Sequence, residues 1–539
     1  MIKNLYNYLI LILIGIFFFF PFLGAVHLFD WDEINFAEAA REMLVTKEYL
    51  RVNIDFLPFW EKPPLFIWLQ AISMHIFGIN EFAARFPNAI AGIITLCSLF
   101  YIGLRTKNKK QAWIWSLLYL GSWLPHFYFK TAIIDPIFNL FIFLAFYQIY
   151  LSSQKTKVLK NSVLSGLFLG LAVLTKGPVA ILIAVLCLIV YIIWQRGLNN
   201  ISSKTLIHIS WSTFLVAGSW FLVDIIKHGF WFTETFIEYQ IRLFSTEDAG
   251  HRGPFIYHFL VLLLGCFPAS IFIWKSKKDI LPKNNSHYFT IWMWIMLGVT
   301  LILFSIVKTK IIHYSSLCYF PITYLAARNL ANIDHFQAKT RNIYRYSFLT
   351  IGLIWAIVLI ALPILGNHLD FLKSIMDDPF AEANLDAKPS FSYFLISLGI
   401  VYLSGLILTF KLSKKQAFEY FGLFAIFNAV IIGLTMIIYT PKIESISQNA
   451  AISFFKSFEG KEVYVQPIGY KSYAHLFYTK RPNTHSKEYI DKGLDYLLHY
   501  EVDRETYFIT KNIYLNKVLE DYPYLEVIDK KNGYVFLKK

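Results

Sequence analysis

Charge is what this chain has least of. Asp, Glu, Lys and Arg make up 16% of its 539 residues, against about a quarter in an ordinary soluble protein. Hydrophobic residues reach 56%, aromatics 18% and mean hydropathy +0.49. Too little polar surface exists to wrap that apolar content in water, which excludes a soluble multidomain enzyme and a disordered chain. Cysteine is scarce as well. Cys97, Cys187, Cys266 and Cys318 each lie in an apolar stretch without pairing or metal-ligand spacing, so they read as small core residues and exclude a disulfide scaffold. No Walker-type Gly-Lys-Ser/Thr loop, dinucleotide fingerprint, zinc-type spacing or internal repeat occurs, so a nucleotide-sugar route has no motif behind it.

Long apolar runs are what the chain does have. A helix crossing a bilayer needs about 20 such residues. Thirteen segments meet or approach this: 5–27, 86–105, 112–129, 133–151, 162–176, 178–195, 205–226, 255–274, 288–307, 311–330, 347–366, 391–410 and 418–439. They predict an all-α polytopic membrane protein. Residues 64–79 are apolar but too short to cross comfortably, and predict a helix at the outer interface. The first run is longer than a signal-peptide core and no A-x-A site follows it, so it is read as a retained helix.

Basic residues set the orientation. With the amino terminus inside, the cytoplasmic loops hold 21 Lys and Arg against three acids, Asp279, Asp334 and Glu419. The outer loops hold 14 basic and 20 acidic residues, and the tail from 440 holds 15 and 13. The net charge of +14 is therefore the asymmetry of positive-inside insertion rather than a nucleic-acid surface. Outer loops 28–85 and 227–254 are long. Residues 1–439 read as the membrane domain. Residues 440–539 lose the membrane character and, with strand-like runs at Glu462–Gln466, Thr506–Thr510, Leu525–Ile528 and Tyr534–Leu537, predict a small α/β domain outside it.

Ionisable residues near bilayer depth are costly and usually functional. By this topology Asp30, Asp32, Glu33, Glu61, Lys62, Asp135, Lys176, Lys308 and Lys310 gather on one membrane face. A transporter would place charge near the midplane and show repeats; one charged face with long loops suits interfacial catalysis better. Asp32 and Glu33 open an amphipathic helix over 32–45, in its first turn or cap. Asp32-Glu33, Ala37-Glu38, Arg41-Glu42-Met43-Leu44, Glu61-Lys62-Pro63-Pro64-Leu65 and Glu81-Phe82-Ala83-Ala84-Arg85 together resemble the first outer loop of a glycosyltransferase family. That family comprises the bacterial aminoarabinose transferases acting on lipid A and related mannosyltransferase-like proteins, with the GT-C fold. Asp135, Lys176-Gly177-Pro178 and Ser305–Tyr314 are similar to further family positions.

The resemblance implies a membrane enzyme that takes a sugar from a polyprenyl-phosphate donor, with inversion, at the periplasmic face of a bacterial inner membrane. The acceptor stays open: lipid A, another envelope glycan or lipid, or a protein hydroxyl. A surface-polysaccharide polymerase or ligase, a lipid-linked sugar transporter and a non-catalytic receptor are the competing readings. A phosphate beside an apolar tail needs cations at the interface. Lys62 is the leading candidate, Arg242, Arg252 and Lys310 support it, and Tyr314 could donate a hydroxyl; a lysine snorkelling to headgroups is the bland alternative for Lys62. Asp32 is the candidate to accept or orient the acceptor's proton, with Glu33 and Asp135 as partners. No cofactor is certain. Glu61 and His251 are the residues to inspect for a divalent metal, although the chain has Glu238-Tyr239 where relatives often carry Glu-His. The chain is read as a monomer.

Overall fold

The computed structural model describes residues 2–197, 201–245, 253–275, 287–482 and 487–539. Among them, eight helices are long and apolar enough to cross a membrane, from Glu81–Thr106 to Ala417–Ser447, making this a multi-pass membrane protein. Large apolar side chains on these helices face outward, such as Ile226, 74% exposed, as lipid contact allows.

Thirteen uninterrupted spans are not what the structure has. The runs 112–129, 255–274 and 311–330 are broken pairs. Lys109–Leu120 stops before Gly121 and Trp123–Tyr128 follows. Tyr257–Gly265 is followed by the 3₁₀ turn Ala269–Phe272 after Pro268, and the 3₁₀ turn Ile312–Cys318 leads into Tyr319–Leu330. Hydropathy sums are blind to such breaks. Proline removes a backbone donor. At Gly121 an added Cβ would sit 2.1 Å from the Ala425 carbonyl oxygen, so only glycine lets the two backbones approach there.

The first helix, α1 (Ile2–Phe19), is followed by α2 (Asp32–Thr46), the short hairpin of β1 (Asn53–Ile54) and β2 (Leu57–Pro58), α3 (Leu65–Phe77) and α4 (Glu81–Thr106). The 13 residues of α3 span about 20 Å, short of the hydrocarbon thickness, as the sequence indicated. Asn80 caps α4 by accepting from the Ala83 amide. The amphipathic reading of α2 needs amending. Its residues from Glu33 to Met43 are all buried, because the tail covers the face that would otherwise meet water.

The tail forms a four-stranded sheet, β3 (Tyr464–Pro467), β4 (Thr506–Lys511), β5 (Glu526–Lys531) and β6 (Tyr534–Lys538), in the order β3-β4-β6-β5. β3 and β4 are parallel and joined by short helices; the other pairs are antiparallel. Asn532 and Gly533 turn β5 into β6 with φ of 49° and 79°, as a two-residue hairpin requires. The helix Ala417–Ser447 runs without interruption from the membrane toward this domain.

Buried ion pairs join tail and first loop. Arg41 makes a bidentate pair with Glu38 at 2.6 and 2.7 Å and donates to the Arg481 carbonyl at 2.9 Å. Arg481 pairs with Asp55 at 3.1 Å, and the Tyr489 hydroxyl donates to the same carboxylate. Burial, reinforced by Glu38, holds the Glu42 carboxyl well above the usual carboxylate range. His27 meets Glu444 at 2.7 Å.

Candidate active site

A cavity of about 1320 Å³ opens where the first outer loop, the ends of several spans and the tail converge. Ligand pockets usually measure about 300–1,000 Å³, so this one has room for a lipid headgroup and a second substrate. Asp32, Glu33, Glu61, Lys62, Asp135, Lys176, Arg242, His313 and Tyr314 line its charged part. Val179, Ile183, Phe304, Leu317, Met436 and Ile443 are among its apolar walls.

Local structure fixes the polar groups. Asp135 is the first residue of the helix Asp135–Ser153, with Pro136 next to it, an order that favours a helix start and places the acid at the positive end of the dipole. The helix Val158–Lys176 ends on Lys176, and Gly177, at φ 95°, turns the chain through Pro178 into Val179–Gln195. A Cβ on Gly177 would meet the Phe236 ring at 2.4 Å. That turn delivers the Lys176 ammonium to Asp135 Oδ1 at 2.6 Å. His313, on the 3₁₀ turn Ile312–Cys318, stands 3.9 Å from Asp135 Oδ2 and 3.6 Å from Asp32 Oδ2, and so bridges the two carboxylates.

The neighbours Asp32 and Glu33 have different tasks. Glu33 accepts from Arg85 Nε and Nη2 at 3.0 and 2.8 Å and from the amides of Phe29 and Ala132 at 2.8 and 2.6 Å. Arg85 also donates to the carbonyls of Leu23, Val26 and His27. Glu33 thus lines the cavity with both carboxylate oxygens engaged by Arg85 and backbone amides. Asp32 keeps 33% of its side chain exposed, with the His313 imidazole 3.6 Å away. It begins α2 and does not cap it, since the cap position is Trp31.

The cations divide in the same way. Lys62 reaches the cavity and lies 5.2 Å from the centroid of the Tyr239 ring, and Arg242 lies 5.3 Å from that same ring. Lys62 makes no hydrogen bond or ion pair within 4 Å among the described residues. Burial pulls its ammonium below the usual lysine range, against Glu61, Asp32 and Asp135, which pull it up. Lys310 is a correction. It lies outside the cavity lining and donates to the carbonyls of Phe304, Ser305 and Val307 at 3.1, 2.7 and 2.5 Å, satisfying the end of the helix His287–Ile306. Tyr314 lines the cavity with Lys176 5.2 Å from its ring centroid.

Arg252 and His251 lie outside the described residues. Among the described residues, no group of three His, Cys, Asp or Glu side chains is placed to hold a metal ion. Glu61 is in contact with the Tyr239 hydroxyl, which donates to it at 3.4 Å, so the tyrosine of Glu238-Tyr239 occupies the carboxylate. His313, Arg85 and Lys471 are site residues that sequence reasoning did not assign. The signal for His313 was its place in the segment Ser305–Tyr314; Lys471 carried none.

Residues 61–223 match the family model of dolichyl-phosphate-mannose-protein mannosyltransferase. The undecaprenyl phosphate-alpha-4-amino-4-deoxy-L-arabinose arabinosyl transferase of Shewanella sediminis is 29% identical over 328 residues, 59% of this chain and 58% of that protein. The Aeromonas hydrophila protein of the same name is 27% identical over 363 residues, 65% and 64% of the two. The chain thus spans about three fifths of the length of these relatives. The crystal structure of ArnT from Cupriavidus metallidurans bound to undecaprenyl phosphate superposes with a TM-score of 0.74 at 16% identity, over 98% of this chain and 97% of that one. The chain has the GT-C fold. In sequence and architecture it resembles the aminoarabinose transferases, as the first outer loop indicated. Within that GT-C fold the cavity lies beside the same loop.

Proposed function

We propose that this protein is a membrane glycosyltransferase that moves a sugar from a polyprenyl-phosphate donor to an acceptor, with inversion, at the periplasmic face of a bacterial inner membrane. The division of labour is a membrane domain up to about residue 439 with outer loops 28–85 and 227–254 forming the site, and the tail outside. One observation carries the reading. A half-open carboxylate, Asp32, shares a large, partly apolar cavity with two cations that converge on one tyrosine ring. Such a cavity suits a lipid phosphate, because the apolar wall takes the tail while Lys62 and Arg242 take the phosphate oxygens.

The acceptor oxygen attacks the anomeric carbon from the face opposite the phosphate. The carbon–oxygen bond to phosphate breaks, its electron pair leaves with the lipid phosphate, and Lys62 and Arg242 stabilise that charge. A hydroxyl acceptor loses its proton to Asp32; an anionic acceptor needs Asp32 only for orientation. His313 holds Asp32 in register with the Asp135–Lys176 pair. The names of the relatives, which describe transfer from an undecaprenyl phosphate-linked sugar, support the donor class. Membranes holding the chain, given radiolabelled polyprenyl-phosphate sugar, should release free polyprenyl phosphate as label appears on an acceptor. Movement of intact donor across the membrane without release of lipid phosphate would favour transport and defeat the proposal.

A further inference from the structure

The membrane face away from the cavity carries a second group of charges. α4 starts beside the cavity, which Arg85 lines, and has 26 residues, a length of about 39 Å. Lys107, which follows it, therefore stands at the opposite surface, the one that the loop charges assign to the cytoplasm. Lys107 donates to the side-chain oxygen of Asn332, and the Asn332 amide donates to the Arg328 carbonyl at 2.5 Å. Asn332 is buried and ties the end of α4 to the end of the helix Tyr319–Leu330. Lys110, in the first turn of Lys109–Leu120, lies 3.9 Å from the centroid of the Phe418 ring on the helix Ala417–Ser447.

These cations lack a counter-charge. Lys107, Lys110 and Arg328 form no ion pair among the described residues, and their sequence neighbours Asp334 and Glu419 are exposed and pair with none of them. Burial, with Arg328 and Lys110 beside it, pulls the Lys107 ammonium down to about 8, as crowding of like charges does. Lys107 and Arg328 are both half-buried, so salt screens them less than it screens loop lysines. The helix Lys109–Leu120 repeats the imbalance. Its first turn holds two lysines and no acid, whereas the positive end of a helix dipole favours an anion. α4 also exposes Ile94 and Tyr101, so the anion that reaches this place comes beside an acyl region.

We propose that Lys107, Lys110 and Arg328 bind the phosphate of an anionic phospholipid headgroup in the leaflet opposite the cavity. Asn332 holds Lys107 and Phe418 holds Lys110 in place for it. The bound lipid neutralises the repulsion where the ends of α4, Lys109–Leu120 and Tyr319–Leu330 meet. This site is independent of the transferase reading and stands or falls without it.

The test uses the full chain in detergent micelles and native mass spectrometry, with phosphatidylglycerol and phosphatidylcholine of identical acyl chains as probes. The wild-type protein should hold one phosphatidylglycerol about tenfold more tightly than phosphatidylcholine, or better. Lys110→Gln, at an exposed position, should weaken phosphatidylglycerol about fivefold, and the pair Lys107→Gln with Arg328→Gln about 25-fold, at roughly fivefold per cation. Phosphatidylcholine should stay within about twofold of wild type in all of them. Lys160→Gln with Lys204→Gln, which removes two exposed lysines from the same face, should leave the preference intact. Equal wild-type affinity for the two lipids overturns the site, as does an unchanged preference in Lys110→Gln, a variant that stays informative if the double variant does not fold. An equal loss in the Lys160 and Lys204 variant also overturns it, because the attraction would then belong to the whole face. Displacement of the lipid by an equal concentration of inorganic phosphate would refute the choice of a lipid as occupant.

Discussion

Adjacent carboxylates with opposite roles give the sharpest test of this site. Glu33 and Arg85 form an ion pair with side-chain exposures of 6% and 3%, and Glu33 takes two backbone amides besides. Replacing it with Gln leaves a buried guanidinium without its counter-charge, a loss of roughly 3–5 kcal/mol. Asp32 is one residue away, part-exposed, with an imidazole at 3.6 Å. A contact at that distance, beyond hydrogen-bond range, contributes little to stability, whereas loss of a general base costs about 10²–10⁴ in rate. Purified Asp32→Asn should therefore keep a wild-type unfolding temperature and lose transfer by about 10² or more. Glu33→Gln should unfold roughly 5 °C or more lower while the surviving folded fraction still turns over. Fluorescence-detected size-exclusion melting, run beside a labelled-donor assay on the same samples, reads both. Asp32→Asn with transfer within threefold of wild type, or Glu33→Gln with normal melting and no transfer, would refute the assignment.

Lys62 gives a pH prediction. Its folded ammonium is held below the ordinary lysine value by burial, so donor affinity should fall as pH rises into a range where exposed lysines remain charged. Lys62→Arg should flatten that alkaline limb in a donor-binding titration. Asp30 is exposed by surface area, yet desolvation by the protein packed around its carboxyl pushes it up to about 6. A raised folded pKa means destabilisation is absent below the unfolded value near 4 and complete above about 6. Asp30→Asn should accordingly raise the unfolding temperature at pH 7 and leave it unchanged at pH 3.5, measured by thermal melts across pH. Lys310→Met should lower stability by about 1–2 kcal/mol through the three orphaned carbonyls and leave donor KM within about twofold. A tenfold rise in donor KM in steady-state assays would return Lys310 to the phosphate site.

The helices were legible because apolar runs long enough to cross a bilayer have few other uses, and several of the acids and lysines clustered in the outer loops line one cavity. Much of the site was legible in the same way: Asp32, Glu61, Lys62, Asp135, Arg242 and Tyr314 all line the cavity. Partner choice was not. Asp32 and Glu33 look alike in one dimension, yet successive helical residues point about 100° apart, so that within the same cavity lining one meets His313 and the other is engaged by Arg85. Lys310 looks like a phosphate ligand until the carbonyls that engage it are seen, and those belong to backbone, which carries no sequence signal. The buried face of α2 was missed because the tail that covers it lies more than 400 residues further on, at Arg481.

The unbroken helix Ala417–Ser447 has a mechanical consequence. Met436, Ile437, Thr440, Pro441 and Ile443 wall the cavity from this helix, and its far end leads into the sheet domain, so one helix sets both the bore of the chamber and the placement of its cover. A sequence inserted near Ser447 would reshape the chamber's mouth from a distance, without touching a single polar group in it.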